Sequence, residues 1–240
     1  MMNVNILYED KDVIVCVKPA GMPSQAERSS SMDMVSWLKN YLSKKQGDAR
    51  CGVPYVSVVH RLDRPVGGVM VYAKTKKAAE NLSRQFSEHH TEKKYLTVLT
   101  GNMPFAEGTL EHMLLKDGRT NTSSVVLTGG KKAKLDYKVL EVKDGRSLVM
   151  VTLYTGRHHQ IRVQMSAVGA GIFGDMKYNR EGTSQWQKEH TSRVRQPELC
   201  LFSCELAFDH PIDHRRMCFK VLPESGCMTI DEWESLSYYE

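Results

Sequence analysis

The most constraining feature of the chain is an aspartate in a short loop between two apolar segments. Residues 60–65 read His-Arg-Leu-Asp-Arg-Pro; they follow the apolar segment 55–59 and lead through Val-Gly-Gly into Val69-Met70-Val71-Tyr72-Ala73. The apolar segments predict strands, and the proline and glycines predict a turn between them. Asp63 therefore lies where two strands end, close to Arg61 and Arg64. A plain surface turn does not need this arrangement, which indicates that the carboxylate has a function.

Length and composition are those of an ordinary globular protein. The chain has 240 residues, of which 41% are hydrophobic and 25% charged, so it is long enough to bury a large core. We predict a single domain over residues 1–240. There is no run of eighteen apolar residues and no basic stretch followed by an apolar one at the N-terminus, so we expect a cytoplasmic protein without membrane contact.

The six cysteines do not form a dense framework. We predict reduced and mostly buried thiols, as in a cytoplasmic protein of this length. Cys200 and Cys204 have a spacing that half of a metal site would also have, but the apolar residues around them favour a strand. The cysteines are Cys16, Cys51, Cys200, Cys204, Cys218 and Cys227.

Strand patterns outnumber helical ones along the chain. Helices are predicted from Met34 to Leu42, behind the serines at 29–31, from Ala78 to Phe86, and after Arg157. A hairpin is predicted to turn at Asp144-Gly145, and the polar stretch from 179 to 197 is predicted to be a mobile loop. These patterns predict an α+β fold with a largely antiparallel mixed β-sheet flanked by helices and loops. Strands are predicted at 13–17, 55–59, 69–73, 94–99, 133–142, 148–153, 199–208 and 217–222.

A second group of polar residues spans Gly156-Arg157-His158-His159-Gln160-Ile161-Arg162. A glycine turn followed by a helix start exposes N–H groups that favour an anion such as a phosphate. We expect His158 one helical turn before Arg162 and on the same face. The adjacent histidines also allow a metal site, although no cysteine or carboxylate nearby completes a ligand set. A helix start with a polar exposed edge is the remaining interpretation.

Four segments in order resemble the RluA family of RNA pseudouridine synthases over roughly residues 6–211. They are Leu7-Tyr8-Glu9-Asp10 through Lys18-Pro19-Ala20-Gly21, the aspartate loop His60-Arg61-Leu62-Asp63, Lys94-Tyr95, and Gly156 to Arg162 continuing to Gly174-Asp175-Met176-Lys177-Tyr178. The resemblance implies an isomerase that breaks the N-glycosidic bond of a uridine in RNA, rotates the uracil and rejoins it through carbon. It implies no cofactor and no metal.

The resemblance also implies roles for individual residues. Asp63 matches the catalytic carboxylate, acting either as a nucleophile or as a base. Tyr95 matches the tyrosine that packs on the target base, and Arg162 matches the arginine that pairs with the aspartate. A strand tyrosine in the core is the other interpretation of Tyr95.

RNA is the expected partner, in the form of rRNA or tRNA. Arg61 matches the residue that fills the stack when the target base is extruded, and we expect Arg157, His159 and Gln160 to bind RNA as well. A net charge of +5 is compatible with this partner. We expect a monomer without an obligatory protein partner. Because the catalytic-domain pattern begins almost at once, the resemblance implies a single pseudouridine synthase catalytic domain over residues 1–240, with no separate N-terminal RNA-binding domain.

The sequence departs from the family pattern after the aspartate. Many members have Thr-Ser-Gly where this chain has Val66-Gly67-Gly68, so the loop must be supported differently, and His158 replaces a common threonine. Two other functions stay open on the sequence: a catalytically silent RNA-binding module, and a hydrolase that uses the carboxylate pair Asp63 and Asp175. The resemblance treats Gly174-Asp175 as a structural turn.

Overall fold

The computed structural model describes residues 4–26, 32–47, 52–190 and 197–238. Within these ranges lie eleven strands and four α-helices, which make an α+β fold as predicted. The strands are β1 (Asn5–Glu9), β2 (Val13–Lys18), β3 (Ser57–Val58), β4 (Gly67–Ala73), β5 (Glu92–Thr100), β6 (Glu107–Asp117), β7 (Thr122–Val126), β8 (Lys131–Lys143), β9 (Arg146–Leu153), β10 (Leu201–Asp209) and β11 (Arg216–Lys220). The helices are α1 (Met34–Gln46), α2 (Lys76–Ser87), α3 (Gln160–Ala167) and α4 (Arg180–His190), with a 3₁₀ helix at Glu234–Tyr238.

The chain divides into two compact units. The first comprises Met1–Glu92 with Glu205–Val221, and the second Lys93–Cys204 with Leu222–Glu240. In the first unit β2 lies between β1 and β4, β3 adds to β4, and β11 adds to β10. These pairs are antiparallel, which confirms the expected sheet. The single catalytic domain stays a prediction.

The core of the first unit forms where α2 packs against β4. β2 and β4 are rich in β-branched residues, which favour strands, and every residue of β4 is buried. Val13, Val15, Val69 and Val71 meet Leu82 of α2 in this core. The strand that follows the aspartate loop is therefore fixed by packing on both of its faces.

The second unit is an antiparallel array in the order β5-β9-β8-β6-β7. The predicted hairpin between β8 and β9 is confirmed, with Lys143 opposite Arg146. Asp144 and Gly145 both have positive φ angles, 49° and 68°, as a two-residue hairpin turn requires. β6 and β7 were not predicted, because their side chains are mostly polar or exposed.

Two local predictions are wrong. The stretch from 180 to 190 is helix α4 and not a mobile loop; residues 191–196 lie outside the described residues. Trp186 holds the helix in place: its Nε1 donates to the Asp144 carbonyl at 2.6 Å, and its ring packs on the Arg146 guanidinium. The strand expected at 55–59 is reduced to Ser57–Val58.

The observed helix starts agree only in part with those predicted from the sequence. Helix α1 begins behind Asp33, whose carboxylate accepts from the N–H groups of Val35 and Ser36, and the serines proposed as caps lie outside the described residues. Helix α3 begins at Gln160, so His158 precedes the helix and does not share a face with Arg162. The expected α3 start was therefore placed too early.

The prediction of reduced thiols is wrong for two cysteines. Cys200 and Cys227 form a disulfide, with their Cα atoms 6.3 Å apart. They are 27 residues apart in sequence, and nothing in that spacing points to the pair. Cys16 and Cys204 are buried thiols as predicted, whereas Cys218 is exposed; Cys51 lies outside the described residues.

Within the described part of the chain, no helix is long and apolar enough to cross a membrane.

Gly174 is the glycine whose replacement we expect to be most informative. Its φ is +82°, and an added Cβ would overlap the backbone carbonyl of Glu198. Gly174→Ala should lower the free energy of unfolding by about 3 kcal/mol, combining backbone strain with a backbone clash. The matched control is Gly169→Ala, with φ +80° and nothing within 4 Å of the added Cβ, which should cost about 1–2 kcal/mol. Urea unfolding measures both, and equal losses would contradict the clash.

Candidate active site

Asp63 lies in a tight turn just before β4. The Val66 N–H donates to the Asp63 carbonyl oxygen at 2.9 Å, which closes the turn. The Asp63 side chain is partly exposed, and those of Arg61 and Arg64 are exposed. The first unit therefore presents a carboxylate with an arginine on each side at the surface of the turn.

Ser24 holds the residue before Asp63. Its Oγ donates to the Leu62 carbonyl at 2.9 Å and accepts from the Leu62 N–H at 3.2 Å. The Tyr72 hydroxyl in turn donates to the Ser24 carbonyl at 3.2 Å. Both main-chain groups of Leu62 are thus fixed by one side chain 38 positions earlier in the chain.

Lys18 holds the residue after Asp63. Its buried ammonium donates to the carbonyl oxygens of Met22 at 2.7 Å, Pro19 at 3.0 Å and Arg64 at 3.2 Å. The Arg64 carbonyl also accepts from the Gly21 N–H at 2.8 Å, and Arg64 Nε donates back to the Gly21 carbonyl at 3.0 Å. The turn after β2 and the aspartate loop are consequently locked together.

Burial changes the proton affinity of Lys18. Loss of hydration disfavours the charged ammonium and lowers the pKa of Lys18 to about 7. The Asp63 carboxylate opposes this and raises the pKa of Lys18, while the Arg64 guanidinium lowers it further. Lys18 therefore lies close enough to Asp63 for the two charges to interact.

In the second unit, Arg162 forms a buried bidentate pair with Asp175. Nε donates to Oδ2 at 2.7 Å and Nη2 donates to Oδ1 at 2.8 Å. The side chains are only 7% and 0% exposed. Asp175 Oδ1 also accepts from the N–H groups of Lys177 and Tyr178, so the pair fixes the turn that follows Gly174 as well as the arginine.

This pair argues against the hydrolase interpretation. A glycosidase needs a second carboxylate that faces the substrate or a water molecule. The Asp175 side chain is completely buried, and both of its oxygens accept hydrogen bonds from Arg162. Asp175 therefore positions an arginine, which agrees with the structural turn that the resemblance implies.

Gln160 and Arg157 bind the main chain of their own unit. Gln160 Oε1 accepts from the Thr155 hydroxyl at 2.8 Å and from the Arg157 N–H at 3.0 Å, and its Nε2 donates to the Lys134 carbonyl at 3.1 Å. Arg157 Nε donates to the Lys132 carbonyl at 2.9 Å. Gln160 is buried and Arg157 half-buried. Their contact with RNA stays a prediction.

The two adjacent histidines are held by polar partners. Their rings stack with centroids 3.8 Å apart. His158 Nδ1 lies 2.9 Å from the Ser123 hydroxyl and Nε2 lies 3.1 Å from Asn121 Oδ1. Buried His159 adopts a left-handed φ of 53°, and its Nδ1 lies 2.8 Å from the Tyr178 hydroxyl. These partners account for the histidines without a metal.

Tyr178 ends the fourth segment of the family resemblance, which assigned no role to it. Its hydroxyl accepts from the Ser123 N–H at 2.8 Å, and the Arg162 guanidinium lies 5.1 Å from its ring centroid. Tyr178 thereby joins β7, His159 and the Arg162 pair. A tyrosine in a turn has no periodic signal, so sequence patterns alone could not find it.

The described geometry places the predicted site residues in two groups. Asp63 and Arg61 belong to the first unit, whereas Tyr95 and Arg162 belong to the second. Tyr95 lies buried in β5 opposite Val151 of β9. Lys18 and Ser24 were missed as supports, although the segment that contains Lys18 carries the family resemblance.

Comparison with known proteins defines the class. A family model described as RNA pseudouridylate synthase matches residues 12–167. A protein named dual-specificity RNA pseudouridine synthase RluA, from Escherichia coli O157:H7, is 33% identical over 90% of this chain and 91% of its own length. Ribosomal large subunit pseudouridine synthase D from Zymomonas mobilis is 29% identical over 90% of this chain and 68% of its own length. The chain belongs to the RluA family of RNA pseudouridine synthases, which are isomerases that act on RNA.

The fold agrees with this assignment. The solved structure of human RNA pseudouridylate synthase domain containing 1 superposes with a TM-score of 0.73. It covers 97% of this chain and 87% of its own, at 22% sequence identity. The similarity shows that the two chains share the pseudouridine synthase fold.

We predict an unusual titration for Lys18. NMR of lysine-labelled protein should show a midpoint near pH 7, compared with about 10.4 for a lysine in water, and the signal should be absent in Lys18→Arg. Because the unfolded chain keeps this proton up to a higher pH, Lys18 makes folding stability rise with pH between the two values.

The control variant is Lys11→Met. Lys11 is exposed, so its removal should leave the rise of folding stability with pH unchanged. A Lys18 midpoint near 10 would contradict the effect of burial.

Proposed function

We propose that Asp63 is the catalytic carboxylate of an RNA pseudouridine synthase. The reaction breaks the bond between the sugar and N1 of uracil, turns the base and forms a carbon–carbon bond through C5. A carboxylate in its ionised form serves this reaction either by adding to the sugar or by removing a sugar proton.

The observation that carries the proposal is the way the main chain around Asp63 is fixed. Leu62 is held by Ser24, and Arg64 is held by Lys18. Asp63 itself keeps a partly exposed side chain. A rigid backbone with an accessible carboxylate is what preorganised catalysis requires.

Tyr95 and Arg162 complete the proposed site through the family resemblance. Tyr95 would pack on the target base, and Arg162 would act beside the carboxylate. Arg162 is preoriented by Asp175 at 2.7 and 2.8 Å, which supports a role that needs a fixed guanidinium.

Arg61 is proposed to replace the extruded base. A base inside a folded RNA must leave its stack before the chemistry, and a planar guanidinium in the vacated space lowers the cost. Arg61 is exposed two residues before Asp63. A silent RNA-binding module would not need this pairing of an exposed arginine with a supported carboxylate.

The proposed substrate is rRNA or tRNA. The name of the Z. mobilis relative, ribosomal large subunit pseudouridine synthase D, supports rRNA. The name of the E. coli relative gives a dual specificity for RNA, which fits a choice of two RNA classes. The proposal includes a monomer that acts in the cytoplasm without an obligatory protein partner. Ribosomal and transfer RNA isolated from cells that lack the gene provide the assay substrates, since their target uridine is unmodified.

We predict that Asp63→Asn lowers the rate of pseudouridine formation by about 100-fold or more, because the amide cannot act as a nucleophile or base. Release of tritium from RNA labelled at C5 of uridine measures the rate. Glu80→Gln removes an exposed carboxylate from α2 of the same unit and should keep full activity.

Thermal unfolding and RNA affinity of Asp63→Asn should stay close to those of the unmodified protein. Near-normal tritium release would rule out Asp63 as the catalytic group. Failure of the unmodified protein to act on either RNA class would contradict the substrate.

We predict that Arg61→Ala reduces activity on a structured RNA more than on a flexible single strand of the same sequence. Arg61→Lys keeps the charge but loses the planar group, so it should share this defect. Initial rates at saturating RNA measure both. Equal losses on the two RNAs, or full rescue by lysine, would show that Arg61 contributes charge and not stacking.

A further inference from the structure

Three potential metal ligands converge in the first unit, at the turn between β1 and β2 and just after β10. Asp10, Asp12 and His210 each offer one ligand atom, and these atoms all lie within 4.8 Å of one another. Asp12 and His210 are buried, with 6% and 4% of their surface exposed. The Asp63 chemistry does not use these residues.

Two of the three groups lack the partners that buried polar atoms normally have. Asp12 Oδ2 accepts no hydrogen bond from any residue that the structure describes. His210 Nε2 lies 2.9 Å from Asp10 Oδ2, yet it forms no aligned hydrogen bond with the described residues. A buried carboxylate oxygen without a donor is costly and calls for an ion or water.

Asp10 and Asp12 are each held through Oδ1. Asp10 Oδ1 accepts from the N–H groups of Asp12 and Val13, both at 2.8 Å. Asp12 Oδ1 accepts from the Thr75 hydroxyl at 3.3 Å. Oriented ligands with their other atoms fixed are a property of metal sites.

His210 has the kind of outer partner that metal-bound histidines use. Its Nδ1 lies 2.9 Å from Asp213 Oδ1, and the Asp213 N–H donates to the same Nδ1 at 3.3 Å. These two contacts with Asp213 set the orientation of the imidazole ring. Nε2 is then the nitrogen that faces Asp10.

Two cations near the cluster, Lys74 and Arg215, have other partners among the described residues. Lys74 donates to Glu9 Oε1 at 2.9 Å and to the Asp10 backbone carbonyl. Arg215 lies 3.9 Å from Asp213 Oδ2 and donates to the Tyr8 hydroxyl at 3.3 Å. The Tyr8 hydroxyl donates to Asp10 Oδ2 at 2.9 Å.

We propose that Asp10, Asp12 and His210 bind a divalent transition-metal ion of the Zn²⁺ type. The imidazole nitrogen is a borderline ligand that favours Zn²⁺ over Mg²⁺, and Zn²⁺ also accepts carboxylate oxygens. Three ligand atoms at about 2.1 Å from one ion lie about 3.4 Å apart, so the observed cluster needs only small side-chain movements to close.

The ion would have a structural role. It would join the β1–β2 turn to the end of β10, two segments about 200 positions apart in the chain. β2 separates this site from Lys18, and six strand residues span about 20 Å. The site is thus distinct from the Asp63 loop, and its existence does not depend on the proposed catalytic role of Asp63.

Zn²⁺ titration of the full chain, after treatment with a chelator, tests the proposal. We expect one equivalent to bind, and the melting temperature to rise when Zn²⁺ is added. Asp12→Asn and His210→Gln should abolish stoichiometric binding, and Asp213→Asn should weaken it about 10–100-fold. His90→Gln, which removes an exposed histidine of the same unit, should bind normally.

Co²⁺ in place of Zn²⁺ identifies the ligands by absorption spectroscopy. We expect a spectrum of nitrogen and oxygen ligands without a thiolate charge-transfer band. Such a band, unchanged binding by Asp12→Asn and His210→Gln, or the absence of stoichiometric binding by the unmodified chain would overturn the proposal. In the last case His210 Nε2 and Asp10 Oδ2 contact each other directly, without an ion between them. If the other variants fail to fold, stoichiometric Zn²⁺ binding by the unmodified chain and its weakening in Asp213→Asn test the proposal.

Discussion

The loop that carries Asp63 depends on one buried ammonium group. Lys18 donates to three carbonyl oxygens, two in its own turn and one in Arg64, 46 positions later. Removing the donor would break all three hydrogen bonds. The Arg64 and Pro19 carbonyls would keep the N–H groups of Gly21 and Met22 as donors, and a buried acceptor left without any donor costs about 1–3 kcal/mol. The hydrogen bonds offset part of the cost of burying a charge, and they fix the backbone on the C-terminal side of Asp63.

The second unit uses a buried charge in a comparable way. Arg162 and Asp175 are almost fully buried and bonded through two parallel hydrogen bonds. A buried ion pair of this kind contributes little net stability compared with apolar packing. Its consequence is geometric: the guanidinium plane of Arg162 is fixed between Asp175 and the Tyr178 ring. Both units therefore use buried charge to orient the groups proposed for catalysis.

Much of the fold could be predicted from the sequence, because β2, β4, α2 and the hairpin at Asp144-Gly145 have strong local patterns. Helix α4 could not, because its stability comes from Trp186 packing on Arg146 and not from an apolar stripe. The candidate catalytic residues came from family resemblance, which marks positions but not contacts. The roles of Lys18 and Ser24 depend on main-chain partners far away in sequence, which no local pattern encodes.

The departure at Val66-Gly67-Gly68 now has a physical explanation. Relatives with Thr-Ser-Gly have two hydroxyl groups there, and this chain has none. The Val66 side chain is buried and its N–H closes the turn on Asp63, while Gly68 pairs with Lys18 in the β2–β4 ladder. Because Ser24 and Lys18 bind main-chain atoms of Leu62 and Arg64, their support does not depend on the side chains at 66–68. The main-chain support on both sides of the carboxylate therefore does not need the two hydroxyl groups.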